Sequence, residues 1–353
     1  MTLYIVMLLA PAIPFLLRIK RHGKVDSKRD SINLFFAIYL LLLVMRSSAI
    51  GRDLTGYESI FLSLSKEPLE LLFQSDLEIG YVLLNKFISL FTSDFQWVIA
   101  VTAIITVIPI WHVYKKESED AYITISLFVM LPTFAMSFSG LRQAIAVSFG
   151  ALAYEFTKNK KPLRFVIAVA IAFLFHKSAL ILLLMYPLYW ARITKKWLVA
   201  IVPAMVAIFA LNRPIFAFLQ KLISDFYTTA ATETNAYTMI VLFVLLAVFA
   251  FVIPDDKECD FDLIGFRNLL LFAIVIQMFV PLHTLAMRFN YYYIIFIPLL
   301  ISKVVKYRSK RYNQVALLAK YVMIVFFVCY FFINTSSRNP LDIYPYKFFF
   351  SDI

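Results

Sequence analysis

Arg142 stands in Ser139-Gly140-Leu141-Arg142-Gln143, where Gly140 breaks one apolar segment and Leu141 opens the next. That spacing puts Arg142 and Gln143 in the first turn of a helix. Free backbone N–H groups and the positive end of the dipole already favour an anion there. A cation is mildly repelled at that end, so Arg142 calls for negative charge from elsewhere. A phosphate would match its planar fork; a paired carboxylate or a lipid headgroup would also serve. Arg288 repeats the pattern in Met287-Arg288-Phe289-Asn290-Tyr291-Tyr292-Tyr293, just after His283. It reads either as a second phosphate clamp or as an anchor in an interfacial aromatic belt.

His176-Lys177-Ser178 falls at a break between two short apolar segments. His176 titrates near neutrality and could act as a general base or hold a phosphate, or it could simply hydrogen-bond the break. Lys177 suits a phosphate of a substrate or of a lipid. Farther upstream lie Gly51-Arg52-Asp53-Leu54-Thr55-Gly56-Tyr57-Glu58 and Glu78-Ile79-Gly80-Tyr81. Carboxylates beside aromatic rings, here Asp53 and Glu78 with Tyr57 and Tyr81, are common in sugar sites. The acids accept or remove hydroxyl protons, and the rings cover apolar sugar faces. Arg52 adds a further cation to this group. Metal-ligand spacing, a P-loop, a nucleophile elbow and a dinucleotide fingerprint are all absent from the sequence, so neither cofactor nor metal is expected.

The elements that must carry these residues are apolar. The 353-residue chain is 62% hydrophobic and 16% charged, with a mean hydropathy of +0.80. Long apolar runs between charged loops indicate a polytopic helical membrane protein, because backbone groups in lipid must be satisfied within each helix. The expectation is a single membrane-embedded domain over 1–353. Net charge is +12, but the cations are scattered through short loops, so topology rather than nucleic acid explains them. Cys259 and Cys329 are too far apart in sequence to suggest a disulfide framework. Residues 1–17 carry their positive charges after the apolar run, which reads as a retained first span rather than a cleaved signal.

Hydropathy marks about 12 transmembrane or re-entrant helices. They fall near 1–17, 31–45, 94–113, 122–138, 141–156, 165–175, 179–190, 197–211, 236–253, 266–282, 285–301 and 315–333. The pair 165–175 and 179–190 is too short to cross twice and is expected to be tilted, broken or re-entrant, since a span takes about 20 residues. Most Lys and Arg then fall on one face, in loops holding Arg18, Lys20, Arg21, Lys24, Lys28 and Arg29, then Lys115 and Lys116, Lys158 to Arg164, Arg192 to Lys196, Lys257 and Arg267, and Lys303 to Arg311. Lys320 sits near the inner end of the last helix. By the positive-inside rule that face is cytoplasmic, and both termini lie outside. The outer face receives loops 46–93 and 212–235 and the tail 334–353. Within the first, 81–91 is expected to be an interfacial helix. The inner acidic run 255–260 reads as a solvated loop.

Arg52, Arg142, Lys177 and Arg288 are therefore exceptions, cations at the outer ends of the segments. Taken with their neighbours, these pieces resemble the EpsG-like family of bacterial polysaccharide polymerases, related in role to the Wzy O-antigen polymerases. The matching segments are Gly51 to Tyr57, Glu78-Ile79-Gly80-Tyr81-Val82-Leu83-Leu84-Asn85, Ser139 to Ala146, Phe175 to Ala179, and Met287 to Tyr292, in that order. The family typically shows Glu-Pro-Gly-Tyr where this chain has Glu78-Ile79-Gly80-Tyr81.

The resemblance implies an all-α polytopic integral membrane protein, with a GT-C-like arrangement as one form it could take. It implies a multi-pass enzyme of the bacterial inner membrane that polymerises undecaprenyl-pyrophosphate-linked repeat units into surface polysaccharide at the outer face. Donor and acceptor are both lipid-linked oligosaccharides; a chain-length regulator is a further partner of such enzymes. Arg142 and Arg288 would stabilise the pyrophosphate leaving group. Glu78, Asp53 or His176 would be the base. Gln143, Arg52, Lys177, Tyr57, Tyr81, Tyr291 and Tyr292 would line the substrate. A transporter or flippase of lipid-linked oligosaccharide, and an acyltransferase using His176, are the competing readings.

Overall fold

A computed structural model describes residues 2–9, 13, 27–68, 77–223, 236–254, 256, 259–307, 313–333, 339 and 341–351. The described chain is helical, with no strand beyond an isolated bridge between Arg46 and Phe348. The expected all-α class is observed. Among the described residues two helices, Gln96–Glu117 and Leu285–Lys306, are long and apolar enough to cross a membrane, or up to four if each of two bent pairs is one span. The larger expected number of spans remains a reading of hydropathy alone. Much of the first cationic loop, Lys257 and Arg308 to Arg311 lie outside the described residues, as do parts of the segments 46–93, 212–235 and 334–353.

The chain packs as two compact units, Met1–Leu180 with Val325–Ile353, and Ile181–Ile324. The first contains α1 (Thr2–Leu9), α2 (Ser27–Met45), α3 (Leu54–Lys66), α4 (Ile79–Ser89), α5 (Gln96–Glu117), α6 (Ala121–Met130), α7 (Pro132–Ser139), α8 (Leu141–Lys158) and α9 (Pro162–Phe175). Helix α5 packs on both α2 and α8, and α9 packs on α8. Opposite charges tie α5 to α8 at one end: Lys158 Nζ reaches both Glu117 carboxylate oxygens at 2.8 Å, and Lys116 Nζ reaches Glu155 Oε1 at 2.7 Å. An aromatic cluster of Tyr4, Phe35, Phe36, Tyr39, Tyr114, Phe128, Phe134 and Phe138 fills the space beside α2.

The segment 46–93 is not merely a loop. It carries α3 and α4, packed on each other and on α5 and α9. Leu54, Tyr57, Phe61 and Leu64 recur at helical spacing and form the buried stripe of α3. A helix is observed where one was expected over 81–91: α4 buries Tyr81, Val82, Asn85 and Ile88 and exposes Leu83 and Phe87. Lys86 does not simply break the stretch. Its Nζ donates to the carbonyls of Leu64 (3.4 Å), Ser65 (3.2 Å) and Glu67 (2.8 Å), capping the C-terminal end of α3.

Other boundaries differ from expectation for local reasons. The helix expected over 122–138 breaks at Leu131, extended ahead of Pro132, so α6 and α7 meet at 57°. The pair around His176 is broken, as expected: α9 ends at Phe175, His176 is extended, and Lys177–Leu184 continues as a 3-10 helix.

The second unit begins in that 3-10 helix and holds α10 (Met185–Trp190), α11 (Leu198–Ala210), α12 (Asn212–Ile223), α13 (Tyr237–Val252), α14 (Phe261–Gln277), α15 (Leu285–Ile294) and α16 (Ile297–Lys306); α17 (Asn313–Phe331) crosses the boundary between units. Arg267, expected in a cationic loop, is instead buried within α14. Its Nη1 pairs with Asp256 Oδ1 at 2.9 Å and its Nε donates to Ala250 O at 2.9 Å. Two acids of the run expected to be solvated, Asp256 and Asp260, have structural partners. Asp256 Oδ2 accepts the Lys195 N–H at 2.7 Å, and Asp260 caps α14 through the Leu263 N–H at 2.7 Å.

Candidate functional site

The site grows from the junction of α7 and α8. Gly140 separates the two helices, so the first N–H groups of α8 have no partner within that helix. Arg142 and Gln143 occupy its first turn, as the sequence places them. Across the junction lies the start of α3. Ser139 Oγ accepts the Asp53 N–H at 3.2 Å and donates to Asp53 Oδ2 at 2.9 Å. One turn on, the Tyr57 hydroxyl accepts from Arg142 Nε at 3.4 Å, and the Arg142 guanidinium lies 5.6 Å from the Tyr57 ring centroid. Asp53–Ser139 and Tyr57–Arg142 thus form two rungs from the start of α3, one to the end of α7 and one to the start of α8.

A third element completes the centre. Glu78, at the start of α4, takes Arg142 Nη1 on Oε2 in a direct ion pair. Its other oxygen accepts the Lys177 N–H at 3.2 Å. The close approach that permits this depends on Gly80. A Cβ there would meet Leu174 O at 2.7 Å, so only glycine lets α4 start against the end of α9. Gly51 does the same for the α3 side: its φ is +106°, and a Cβ would lie 2.1 Å from Phe138 O.

Burial on its own would raise the Glu78 carboxyl. Arg142, with the backbone N–H groups of Glu78 and Lys177, outweighs it and holds the group below the ordinary carboxylate value. Glu78 is therefore ionised, and it supplies the negative charge that Arg142 calls for. The paired-carboxylate alternative is the arrangement seen in this chain. Nη1 and Nε are engaged, which leaves Nη2 as the guanidinium edge with no protein partner among the described residues.

His176 is 6% exposed. Its Nδ1 accepts the Ser178 N–H at 3.2 Å and lies 2.7 Å from Ser178 Oγ. Because a backbone N–H can only donate, the network assigns Nδ1 as an acceptor and the proton to Nε2. Gln143 Nε2 reaches Ser178 Oγ at 3.5 Å. Lys177 is half-buried and Asp53 exposed.

The structure thus brings Asp53, Tyr57, Glu78, Arg142, Gln143, His176 and Lys177 together within the first unit. Tyr81 packs edge-on against Tyr57 with its ring fully buried, so it supports the site and offers no free face. Arg52 turns toward Asp342, at 3.5 Å in an exposed pair, rather than toward Arg142's partners. Arg288, Tyr291 and Tyr292 belong to the second unit, where Arg288 is exposed on α15 and Tyr292 is fully buried. Ser139 and Ser178 were not singled out from sequence. Each sits inside a motif that was, and a hydroxyl beside a candidate acid or base is the signal that could have found them.

No curated protein and no solved structure matches the chain at a significant level. One family model does, over residues 6–348, and it is the model of the EpsG family. That span contains every motif that meets at the α7–α8 junction. The chain belongs to the EpsG family, that of Wzy-type polysaccharide polymerases and EpsG glycosyltransferases.

Proposed function

We propose that the chain polymerises undecaprenyl-pyrophosphate-linked repeat units into surface polysaccharide at the outer face of the bacterial inner membrane. Family membership supports a polysaccharide polymerase of glycosyltransferase type, acting on lipid-linked sugars. The observation that carries the finer reading is the triad of Arg142, Glu78 and the Lys177 N–H at a helix start. Glu78 fixes one edge of the guanidinium, so Nη2 and the first N–H groups of α8 are oriented before any ligand arrives.

In this reaction the acceptor sugar hydroxyl attacks the anomeric carbon of the donor glycan. The new C–O bond forms as the bond from that carbon to pyrophosphate breaks, and the pyrophosphate leaves with the electron pair. Arg142, with the Lys177 side chain, stabilises the charge that develops on it. The hydroxyl proton goes to a carboxylate. Asp53 is the best placed of the three expected bases. Glu78 is committed to Arg142, and His176 presents a protonated Nε2 with Nδ1 already bonded. Asp53 is exposed, with Ser139 holding Oδ2.

Chain-length profiling of the surface polysaccharide tests this reading. With Arg142→Ala, long polymer is expected to vanish while single repeat units persist. Unchanged polymer length would overturn it. The transporter reading makes a separate claim, movement of lipid-linked substrate across vesicles without new glycosidic bonds.

A further inference from the structure

The last carbonyls of a helix have no partner within it. Four at the end of α2 are nevertheless capped. Tyr346 Oη donates to Leu42 O at 2.7 Å, Arg46 Nη1 to Leu43 O at 3.1 Å, Gln96 Nε2 to Val44 O at 2.5 Å, and the Phe349 N–H to Met45 O at 2.9 Å. The first and last of these donors come from the C-terminal tail, some three hundred residues away in sequence. Arg46, 1% exposed, is sealed beneath that tail, where its backbone bridges Phe348. The negative end of the α2 dipole and the Phe138 ring, 5.6 Å from its guanidinium, offset part of the cost of burying that charge.

The tail then runs along the loop that leads to Asp53. The Ser47 N–H donates to Lys347 O at 3.0 Å, the Gly51 N–H to Asp342 O at 3.1 Å, and the Arg52 N–H to Leu341 O at 3.0 Å. Asn339 closes the start of the segment, its Oδ1 accepting the Ile343 N–H at 3.1 Å. Without the tail these three amides lose those acceptors, and the hold on the loop before Asp53 is weakened.

We propose that residues 341–349 are a positioning strap for Asp53, with Tyr346 anchoring the strap to the end of α2. The strap acts through the loop and touches no substrate. The functional half of the proposal rests on the reading of Asp53 as the base; the structural half does not.

Amide hydrogen exchange on the full-length protein in detergent tests the strap directly, alongside Tyr346→Phe, Asn339→Ala and a chain ending at residue 338. Tyr346→Phe is expected to speed exchange at Ser47, Gly51 and Arg52 by about fivefold, the loss of one ordinary hydrogen bond. The truncated chain should speed it by more than tenfold, with α5 and α8 unchanged. In a polymerisation assay the same variants should lose kcat and keep donor KM. Unchanged exchange at those amides in the truncated chain would overturn the strap. Faster exchange with wild-type kcat would overturn its role in positioning Asp53. A wild-type chain that does not polymerise would count against the proposed reaction, and the exchange data would still decide the strap.

Discussion

Glu78 and Arg142 are 64 residues apart in sequence and form a direct ion pair across the start of α8. The Glu78 side chain is 9% exposed and that of Arg142 24%. The pair is dry enough to matter and open enough for a ligand to reach the guanidinium. Glu78 also accepts the Lys177 N–H, so one carboxylate links α4, α8 and the break after α9.

Arg142→Lys keeps the charge but cannot reach Glu78 and Tyr57 together. It is expected to lower kcat by about 10²–10³, the usual cost of removing one preorganised charge-stabilising group. Steady-state kinetics on the purified enzyme check this. A kcat within a factor of two of wild type would contradict it.

Glu78→Gln leaves Arg142 as a half-buried, unpaired cation. Breaking a fully buried pair costs about 3–5 kcal/mol; the partial exposure of Arg142 lowers that to about 2 kcal/mol. A drop in melting temperature in detergent reads it, and Arg142→Ala with Glu78→Gln together should cost less than the sum of the two.

The same carboxylate sets an acid limb. Its folded value lies below the ordinary carboxylate range, so its stabilisation is fully present above the unfolded value. That stabilisation fades as pH falls through the folded value. Wild-type melting temperature should therefore be flat from neutrality to about pH 5 and fall below it. Glu78→Gln should lose the part of that fall that Glu78 contributes.

Gly80→Ala pushes a methyl against Leu174 O and should cost about 1–3 kcal/mol, with activity falling as Glu78 is displaced. Gly56 has nothing within 4 Å of the corresponding position. Gly56→Ala, in the first turn of α3, is the control and should leave stability unchanged or raise it by up to about 1 kcal/mol.

Asp53→Asn removes the proposed base and retains a partner for Ser139. It is expected to reduce kcat by about 10²–10⁴ with donor KM unchanged. His176→Gln should cost far less in kcat. The opposite ranking would move the base to His176.

The helical class, the break at Gly140 and the short pair around His176 were legible because glycine placement and run length are local signals. The partners of the site residues were not. Nothing in the sequence near Arg142 points to Glu78, which reaches it only because Gly80 lets α4 lie on α9. Arg267 read as one more loop cation, since its burial depends on Asp256 and on backbone carbonyls that a charge count does not see. Helix α3 was missed although Leu54, Tyr57, Phe61 and Leu64 carry its period, because polar residues between them resemble a loop. The tail offers neither helical nor alternating pattern, and its backbone pairs with residues 45–52 leave no mark on composition.

The most direct measurement is a reaction of purified protein with a defined undecaprenyl-pyrophosphate-linked repeat unit, with products resolved by length and linkage. Wild-type protein should give a ladder of polymer and release lipid pyrophosphate in step with each new bond. Arg142→Ala and Asp53→Asn, shown to be folded by their melting curves, should give none. A full ladder from folded Arg142→Ala would contradict the central role of the Arg142–Glu78 centre.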